Sequence, residues 1–366
     1  MLSFESDMHI VQCIILNMPS RGTHQPLAIK RNWRQLGSAI LFFLLVIILL
    51  TLNSYSYQKE FKRSFVAWGT NLDFVILSDL NEKHVNKAIL EAQKIALDKN
   101  TIFNNYDSNS EISKFNLLDS NIERKISGDF LELFKISMRY NQISDGYFDI
   151  TLGRITKNID YKEGGKLDST RTKVANILKE CSGFDKIIFD PYKQSLTKRV
   201  GCLELDFGGI AEGYVIGLMV KKLTDNKIKD ALINFGGNIT TISTNHKWEI
   251  DIKEPGSHET VYKSYNLNNM SVSTSGRSLK NIEVDGELMS HIINPLENTL
   301  KAKKDISISV FSKDSTYADA MSTALLAMPL DMAIKKLNNL DDLNALILVK
   351  DNLGNIEVVF QNIQSN

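Results

Sequence analysis

Apolar residues recur every three to four positions in four parts of the chain and at every second position in many others. The first period predicts amphipathic helices, and the second predicts strands with one buried face. The predicted helices cover Glu82 to about Lys99, Asp129 to Ile143, the segment after Gly209 to about Leu223, and Ser315 to Met328. The predicted strands are FVAWGTNLDFVIL (65–77), FDKIIFD (184–190), SLTKRV (195–200), CLELDF (202–207), ALINFGG (231–237), KWEIDIK (247–253), NMSVSTSG (269–276), LMSHIINP (288–295), DISISVF (305–311), NALILVK (344–350) and NIEVVF (355–360). Runs of strands mixed with a few helices indicate an α+β fold.

Residues 36–52, LGSAILFFLLVIILLTL, form an apolar run without a charged side chain. About 17 residues is near the lower limit for crossing a bilayer core, and no small-residue cleavage site follows. We therefore expect one uncleaved transmembrane anchor rather than a cleaved signal peptide. The basic flank KRNWR predicts a cytoplasmic tail over residues 1–35, in which Met8 and Met18 are alternative starts. A linker over 53–64 and one domain over 65–366 would then lie on the extracytoplasmic (periplasmic) side of the cytoplasmic membrane.

Composition excludes several classes of protein. The 366-residue chain has 43 basic and 43 acidic side chains, so it lacks the basic excess of nucleic-acid-binding proteins. Its three cysteines are too few for a disulfide scaffold and show no metal-binding spacing. Cys181 and Cys202 flank the predicted hairpin and could pair in an oxidising compartment. We favour the alternative, two buried thiols.

The segment LDFGGIAEGY, residues 205–214, joins an apolar run to a predicted helix through an acid and two glycines. Glycines ahead of a helix often hold phosphate against backbone N–H groups, yet a bare carboxylate repels phosphate. A divalent cation bound between them would reconcile the two. The segment is not a dinucleotide-binding fingerprint, which needs G-x-G-x-x-G within a βαβ unit.

Asp319 and Thr323 lie four residues apart in the last long predicted helix and therefore on one face of it. Their oxygens could bind a cation. On this pattern alone we favour a structural interpretation, in which Asp319 near the helix start interacts with the helix dipole. Thr323 would then bond backward to the helix backbone.

Other polar positions also have ordinary structural explanations. His291 in LMSHIINP could transfer a proton near neutral pH, but a single histidine in an apolar strand is more often a core residue. The turns NFGGN (234–238) and STSG (273–276) could let a ligand approach the backbone. The polar loop YDSNSEISKFN places Tyr106 beside several hydroxyls and acids. Taken singly, each of these segments is more often a simple turn or loop.

Eight motifs, taken together and in order, resemble the ApbE family of FAD:protein FMN transferases. They are WGT, NYDSNSEISKFN, SDGYFDITLG, LDFGGIAEGY, ALINFGGN, SVSTSG, SHIINP and ADAMSTAL, and they span about residues 65–330. The resemblance implies a T-fold-like α+β architecture with antiparallel or mixed sheets. It also implies a Mg²⁺-dependent enzyme that takes FAD as substrate. Such an enzyme transfers FMN to a Ser or Thr hydroxyl of a target flavoprotein through a phosphoester bond and releases AMP.

The resemblance assigns roles to residues of the matching motifs. It implies that Mg²⁺ is bound by the carbonyl of Gly209 and by Asp319 and Thr323. His291 and Asp319 are the implied catalytic residues, with His291 as a candidate proton acceptor. The implied FAD-site residues are Trp68, Tyr106, Tyr147, Phe148, Asp149, Asp206, Glu212, Thr274, Ser275, His291 and Ile293.

The resemblance also implies a partner, a subunit of a respiratory redox complex with an S/T-G-A-T-like acceptor motif. Tyr106 favours transfer, since members that hydrolyse FAD carry asparagine there. Two residues depart from the common pattern, Glu212 where many members have lysine and Asn294 where aspartate is common. The alternatives are a Mg²⁺-dependent FAD pyrophosphatase, which yields FMN and AMP, and a non-catalytic, membrane-anchored FAD-binding protein.

Overall fold

Antiparallel strands dominate the fold because apolar and polar residues alternate over much of the chain. The computed structural model describes residues 43–44, 58–157, 170–244, 246–257, 259–277, 281–302 and 305–363. The strands are β1 Lys59–Ala67, β2 Thr70–Ser78, β3 Glu123–Lys125, β4 Ile187–Asp190, β5 Ser195–Lys198, β6 Asp230–Phe235, β7 Asn238–Ile242, β8 Trp248–Lys253, β9 Val261–Leu267, β10 Ser271–Gly276, β11 Asn281–Val284, β12 Glu287–Asn294, β13 Thr299–Ala302, β14 Ile306–Ser312, β15 Asn344–Lys350 and β16 Ile356–Gln361. The helices are α1 Glu82–Phe103, α2 Glu111–Asn116, α3 Gly128–Ile143, α4 Gly153–Thr156, α5 Arg171–Cys181, α6 Ala211–Asp225, α7 Ser315–Ala327 and α8 Leu330–Leu337.

The main sheet has eight strands in the order β1-β2-β6-β7-β10-β14-β15-β16, and every neighbouring pair is antiparallel. Alternate residues of each strand face opposite sides of the sheet. Ile308 and Ile347 belong to the core that the sheet shares with α1, α3, α6 and α7. Phe311 and Leu346 pack on the other side, against the β8–β9 hairpin. The sheet is therefore covered on both faces.

A second, smaller core lies beside the main one. It joins the three-stranded sheet β11-β12-β13 to α4 and α5 through residues that include Ile155, Val174, Ile282 and Ile293. The pairing of β12 with β13 shifts register between Met289 and Ile293. Such a bulge redirects the side chains around it, and His291 lies within it.

The predicted α+β class with antiparallel sheets is confirmed, but two predicted strands are wrong. Residues 65–77 form two strands, because Trp68 and Gly69 adopt positive φ angles of 54° and 77° and reverse the chain. The segment CLELDF is not a strand, since Glu204 makes only an isolated bridge with Leu152. The side chain of Asn116 takes the place of a neighbouring strand there by bonding to the backbone of the segment.

Strand β1 starts at Lys59, inside the predicted linker over 53–64. The described residues from Gln58 onward belong to one compact unit. The predicted tail over 1–35 lies outside the described residues, as does the predicted anchor apart from Phe43 and Leu44, which are helical and exposed. Within the described ranges, no helix combines the length and the apolar character that crossing a bilayer requires.

Cys181 and Cys202 form a disulfide, so the favoured interpretation of two buried thiols is wrong. Their Cα atoms lie 5.2 Å apart. The bond joins the end of α5 to the segment that leads into Glu204 and closes a loop around the β4–β5 hairpin. The sequence could not distinguish the two, because free and disulfide-bonded cysteines are both buried and give the same hydrophobic pattern.

Replacing both cysteines by alanine is expected to lower the free energy of unfolding by about 3 kcal/mol. The disulfide spans 21 residues, and a loop of this size restricts the unfolded chain by roughly that amount. Urea denaturation with and without dithiothreitol measures the effect. The reducing agent should destabilise the wild type and leave the double variant unchanged; equal stability of the oxidised wild type and the variant would contradict the prediction.

Candidate active site

The LDFGGIAEGY turn is fixed to the core by one aromatic side chain. Phe207 is fully buried, and its ring contacts those of Phe103 and Phe130 at centroid distances of 5.5 and 5.3 Å. Before Phe207 in the chain, Asp206 donates its backbone N–H to the carbonyl of Ile150 at 2.7 Å. After Phe207, Gly208 donates its N–H to the carboxylate of Asp206 at 2.8 Å. The glycines therefore lie at a turn held on both sides.

Asn116 ties this turn to the loop that carries Tyr106. Its amide accepts from the N–H of Leu205 at 2.7 Å and donates to the carbonyl of Leu205 at 2.8 Å. It also donates to the side chain of Asn105 at 3.0 Å. Tyr106 is 65% exposed, and its pKa is raised to about 12 by desolvation and by the negative charge of Asp206. The Tyr106 hydroxyl and the Asp206 carboxylate thus lie near enough to interact electrostatically.

The helices α6 and α7 meet at Gly213. The N–H of Gly213 donates to the carboxylate of Asp319 at 2.9 Å, and its carbonyl accepts from the hydroxyl of Ser315 at 2.6 Å. A Cβ atom at this position would lie only 2.4 Å from the carbonyl oxygen of Ser315. Glycine is therefore required for the two helices to approach this closely.

Asp319 is a buried carboxylate, 6% exposed, and not a helix cap. Asp314 caps α7 instead, by accepting from the N–H of Thr316 at 2.8 Å, whereas the carboxylate of Asp319 accepts from the N–H of Gly213 in α6. Burial, and then the negative charge of Glu212, raise the pKa of Asp319 to about 8. A buried acid beside another acid is stabilised in its charged form by a cation.

Thr323 and Gly209 complete this group. A Cβ atom at Gly209 would lie 3.2 Å from the hydroxyl oxygen of Thr323, which is one helical turn beyond Asp319. Among the residues that the structure describes, no three His, Cys, Asp or Glu side chains cluster as metal ligands. One carboxylate with neutral hydroxyl and carbonyl oxygens still fits Mg²⁺, which commonly takes few protein ligands and completes its shell with phosphate and water.

The sequence model described as "ApbE family" matches residues 68–347. The chain belongs to the ApbE family. A relative from Haemophilus influenzae, named FAD:protein FMN transferase, is 26% identical over 304 residues, which cover 80% of this chain and 88% of the relative. The flavin transferase ApbE from Vibrio cholerae superposes with a TM-score of 0.70 at 20% identity, covering 82% of this chain and 97% of the other. The ApbE protein from Thermotoga maritima gives a TM-score of 0.70 at 25% identity and the same coverage of both chains.

The structure of this ApbE-family chain brings five of the predicted site residues together around the start of α6. Gly209 lies against Thr323, and Glu212 lies close enough to Asp319 to raise its pKa. The hydroxyl of Ser275, from the end of β10, lies 3.5 Å from that of Thr323. The predicted metal ligands are thus neighbours, as the family motifs imply.

The predicted residues of the SDGYFDITLG motif adjoin the turn but serve packing in this structure. The hydroxyl of Tyr147 lies 3.4 Å from the sulfur of Met332, and Phe148 is buried in the main core. Asp149 accepts from the N–H and the hydroxyl of Thr151, both at 2.7 Å, and burial raises its pKa to about 6. Their contact with a flavin stays a prediction.

Trp68 packs against the end of the strand that leads into the NFGGN turn. Its indole donates to the carbonyl of Ala96 at 2.8 Å, and its ring meets that of Phe235 edge-on at a centroid distance of 5.4 Å. Phe235 is the last residue of β6, directly before the paired glycines of the turn. Trp68 thereby packs against the residue that precedes these glycines.

Thr274 and Ile293 do not face this group of residues. Thr274 alternates with Ser275 along β10, so it faces the opposite side of the sheet, where its hydroxyl lies 2.8 Å from that of Ser309. The side chain of Ile293 is buried in the second core, and His291 lies half-buried in β12. The roles assigned to these residues stay predictions.

Sequence reasoning missed several polar residues of the site. Ser273, Ser322 and Asn238 lie between the predicted ligands and bond to one another or to them. The signal was present, because Ser273 shares a strand face with Ser275 and Ser322 precedes Thr323.

Proposed function

We propose that this protein transfers FMN from FAD to a Ser or Thr hydroxyl of a target flavoprotein and releases AMP, with Mg²⁺ as cofactor. The observation that carries the proposal is the buried Asp319 carboxylate beside Thr323 and Gly209, in a chain of the ApbE family. The Haemophilus influenzae relative is named FAD:protein FMN transferase, and the Vibrio cholerae structure is named a flavin transferase.

Each part of the site has a role in this proposal. Asp319, Thr323 and the backbone of Gly209 hold the cation, which when bound neutralises pyrophosphate charge and polarises the phosphorus. Tyr106 and Asp206 contact the flavin side of FAD at the opening of the turn. Glu212 and the glycines of the NFGGN turn form the part of the FAD site next to the cation ligands. They are in close contact, since a Cβ atom at Gly236 would lie 2.6 Å from the carboxylate of Glu212.

The reaction is a displacement at the FMN-side phosphorus. The acceptor oxygen forms a new P–O bond as the bond to AMP breaks, and the hydroxyl proton passes to a base, for which His291 is the candidate. FMN thereby becomes a phosphoester of the acceptor. The acceptor is a subunit of a respiratory redox complex with an S/T-G-A-T-like segment.

The proposed location is the extracytoplasmic side of the cytoplasmic membrane, with residues 36–52 as anchor. The Cys181–Cys202 disulfide supports this side, because disulfides persist mainly in oxidising compartments. The apolar, uncharged composition of the segment supports the anchor.

Mass spectrometry tests the reaction directly. Full-length protein is incubated with FAD, Mg²⁺ and a protein that carries an S/T-G-A-T segment, and the acceptor is examined for an FMN-sized adduct. We expect an adduct that EDTA abolishes. Free FMN without an adduct would instead show an FAD pyrophosphatase, and intact bound FAD would show a flavin-binding protein without catalysis.

The affinity for Mg²⁺ is expected to weaken as the pH falls below about 8, by up to tenfold per unit. The pKa of Asp319 is raised to about 8, and its carboxyl must lose a proton before it binds a cation. Above this pH the carboxylate is already charged, so the affinity should level off. Calorimetric titration between pH 6.5 and 9 measures the effect, and an equal affinity at both ends would contradict it.

A further inference from the structure

Side-chain hydroxyls form a chain between β10 and α7, directly behind the proposed cation ligands. The hydroxyl oxygen of Ser275 lies 2.8 Å from that of Ser322 and 3.5 Å from that of Thr323. Ser322 is fully buried and donates to the backbone carbonyl of Asp319 at 2.9 Å. The three hydroxyls therefore form a row from Thr323 to the backbone of Asp319, and its longest step is the one between Ser275 and Thr323.

A second branch restricts how the protons of this chain are arranged. Asn238 donates from its amide nitrogen to the carboxylate of Glu212 at 2.8 Å, so its amide oxygen faces Ser273 and can accept that hydroxyl proton. The hydroxyl oxygen of Ser273 also lies 3.2 Å from that of Ser322. The Ser273 hydroxyl has two acceptors for its one proton, the amide oxygen of Asn238 and the side chain of Asp319, so we treat Ser273 as an acceptor toward Ser322.

The direction of the chain follows from counting protons. A carbonyl oxygen only accepts, so the proton of Ser322 points to Asp319, and Ser322 accepts the proton of Ser275. Ser275 has then used its own proton and can only accept from Thr323. We propose that Ser322 and Ser275 are positioning residues that draw the Thr323 proton away from the cation and leave the oxygen lone pairs facing it.

This arrangement matters because a hydroxyl binds a cation through a lone pair. A proton directed at the cation would oppose binding, so the partner that accepts the proton sets the affinity. Groups that orient metal ligands in this way typically change metal affinity by 10- to 100-fold when they are replaced. The inference rests on the proposed function, in which Asp319 and Thr323 hold the cation.

Direct binding of Mn²⁺, followed by electron paramagnetic resonance on the full-length protein, tests the inference without any turnover. Ser275→Ala and Ser322→Ala are each expected to raise the dissociation constant by about tenfold. Ser275→Thr keeps the hydroxyl on the partly exposed end of β10 and should restore most of the affinity. A purely structural role for these serines would not predict that recovery.

Ser309→Ala is the matched control, because Ser309 is a buried serine whose hydroxyl contacts Thr274 on the opposite face of β10. It should cost similar thermal stability and leave Mn²⁺ binding unchanged. The inference is overturned if Ser275→Ala and Ser322→Ala bind Mn²⁺ as tightly as this control while Asp319→Asn binds it weakly. If Asp319→Asn also binds Mn²⁺ like the wild type, the proposed cation site itself is wrong.

Discussion

Asp319→Asn is expected to lower the rate of FMN transfer by about a thousandfold and to leave the fold intact. The amide oxygen can still accept from the N–H of Gly213, which lies 2.9 Å from the carboxylate, so the contact between α6 and α7 is kept. What is lost is the negative charge that we propose binds the cation, and metal-assisted charge stabilisation contributes several kcal/mol to such reactions. Initial rates of adduct formation at saturating FAD measure the effect.

Asp314→Asn is the control for this variant, because it changes an acid on the same helix outside the site. Asn also caps helices well, so its stability should fall by no more than about 1 kcal/mol. Its transfer rate should stay near that of the wild type. A rate for Asp319→Asn within tenfold of the wild type, at saturating Mg²⁺, would remove the basis of the proposed mechanism.

Gly213→Ala is expected to destabilise the protein by about 3 kcal/mol, although alanine is the better helix former. The added Cβ atom would lie 2.4 Å from the carbonyl oxygen of Ser315 and 2.7 Å from the Cβ atom of Asp319. Both are rigid parts of α7, so the helices must separate. Chemical denaturation measures the loss, and the same separation should weaken Mg²⁺ binding.

Gly217→Ala, one turn further along α6, provides the matched comparison. A Cβ atom there would meet only the side-chain oxygen of Ser315, at 3.3 Å, and a shift of a few tenths of an ångström relieves that contact. The free energy of unfolding of this variant should stay within about 1 kcal/mol of the wild-type value, because the helix propensity of alanine offsets the unfavourable contact. Equal stability of the two variants would show that α6 and α7 do not pack as described.

Much of the fold follows from hydrophobic periodicity, but its short elements do not. The long helices α1, α3, α6 and α7 were predictable because one apolar face recurs over several turns. α2 and α8 span six and eight residues, too few for a period to be recognised. The turn at Trp68 escaped prediction because tryptophan seldom adopts a positive φ and is not a usual turn residue.

The site was predicted from ordered motifs rather than from any one pattern. Asp319 and Thr323 fit a plain core helix equally well, and only the approach of Gly213 shows that the acid faces another helix. A glycine within a helical pattern usually suggests a weak helix, whereas here it marks a point of contact. Disulfide pairing depends on how close two segments that are separated in sequence come in space, and hydrophobic periodicity gives no information about that distance.

The anchoring of the glycine turn by Phe207 has a consequence for motion. Glycine-rich loops at ligand sites commonly open at low energetic cost, but this one cannot move without withdrawing a buried ring from between Phe103 and Phe130. Its opening is therefore tied to the unfolding of the surrounding core. The substrate meets a rigid cradle rather than one that forms around it, and any adaptation to different acceptor proteins falls to the exposed loop that carries Tyr106.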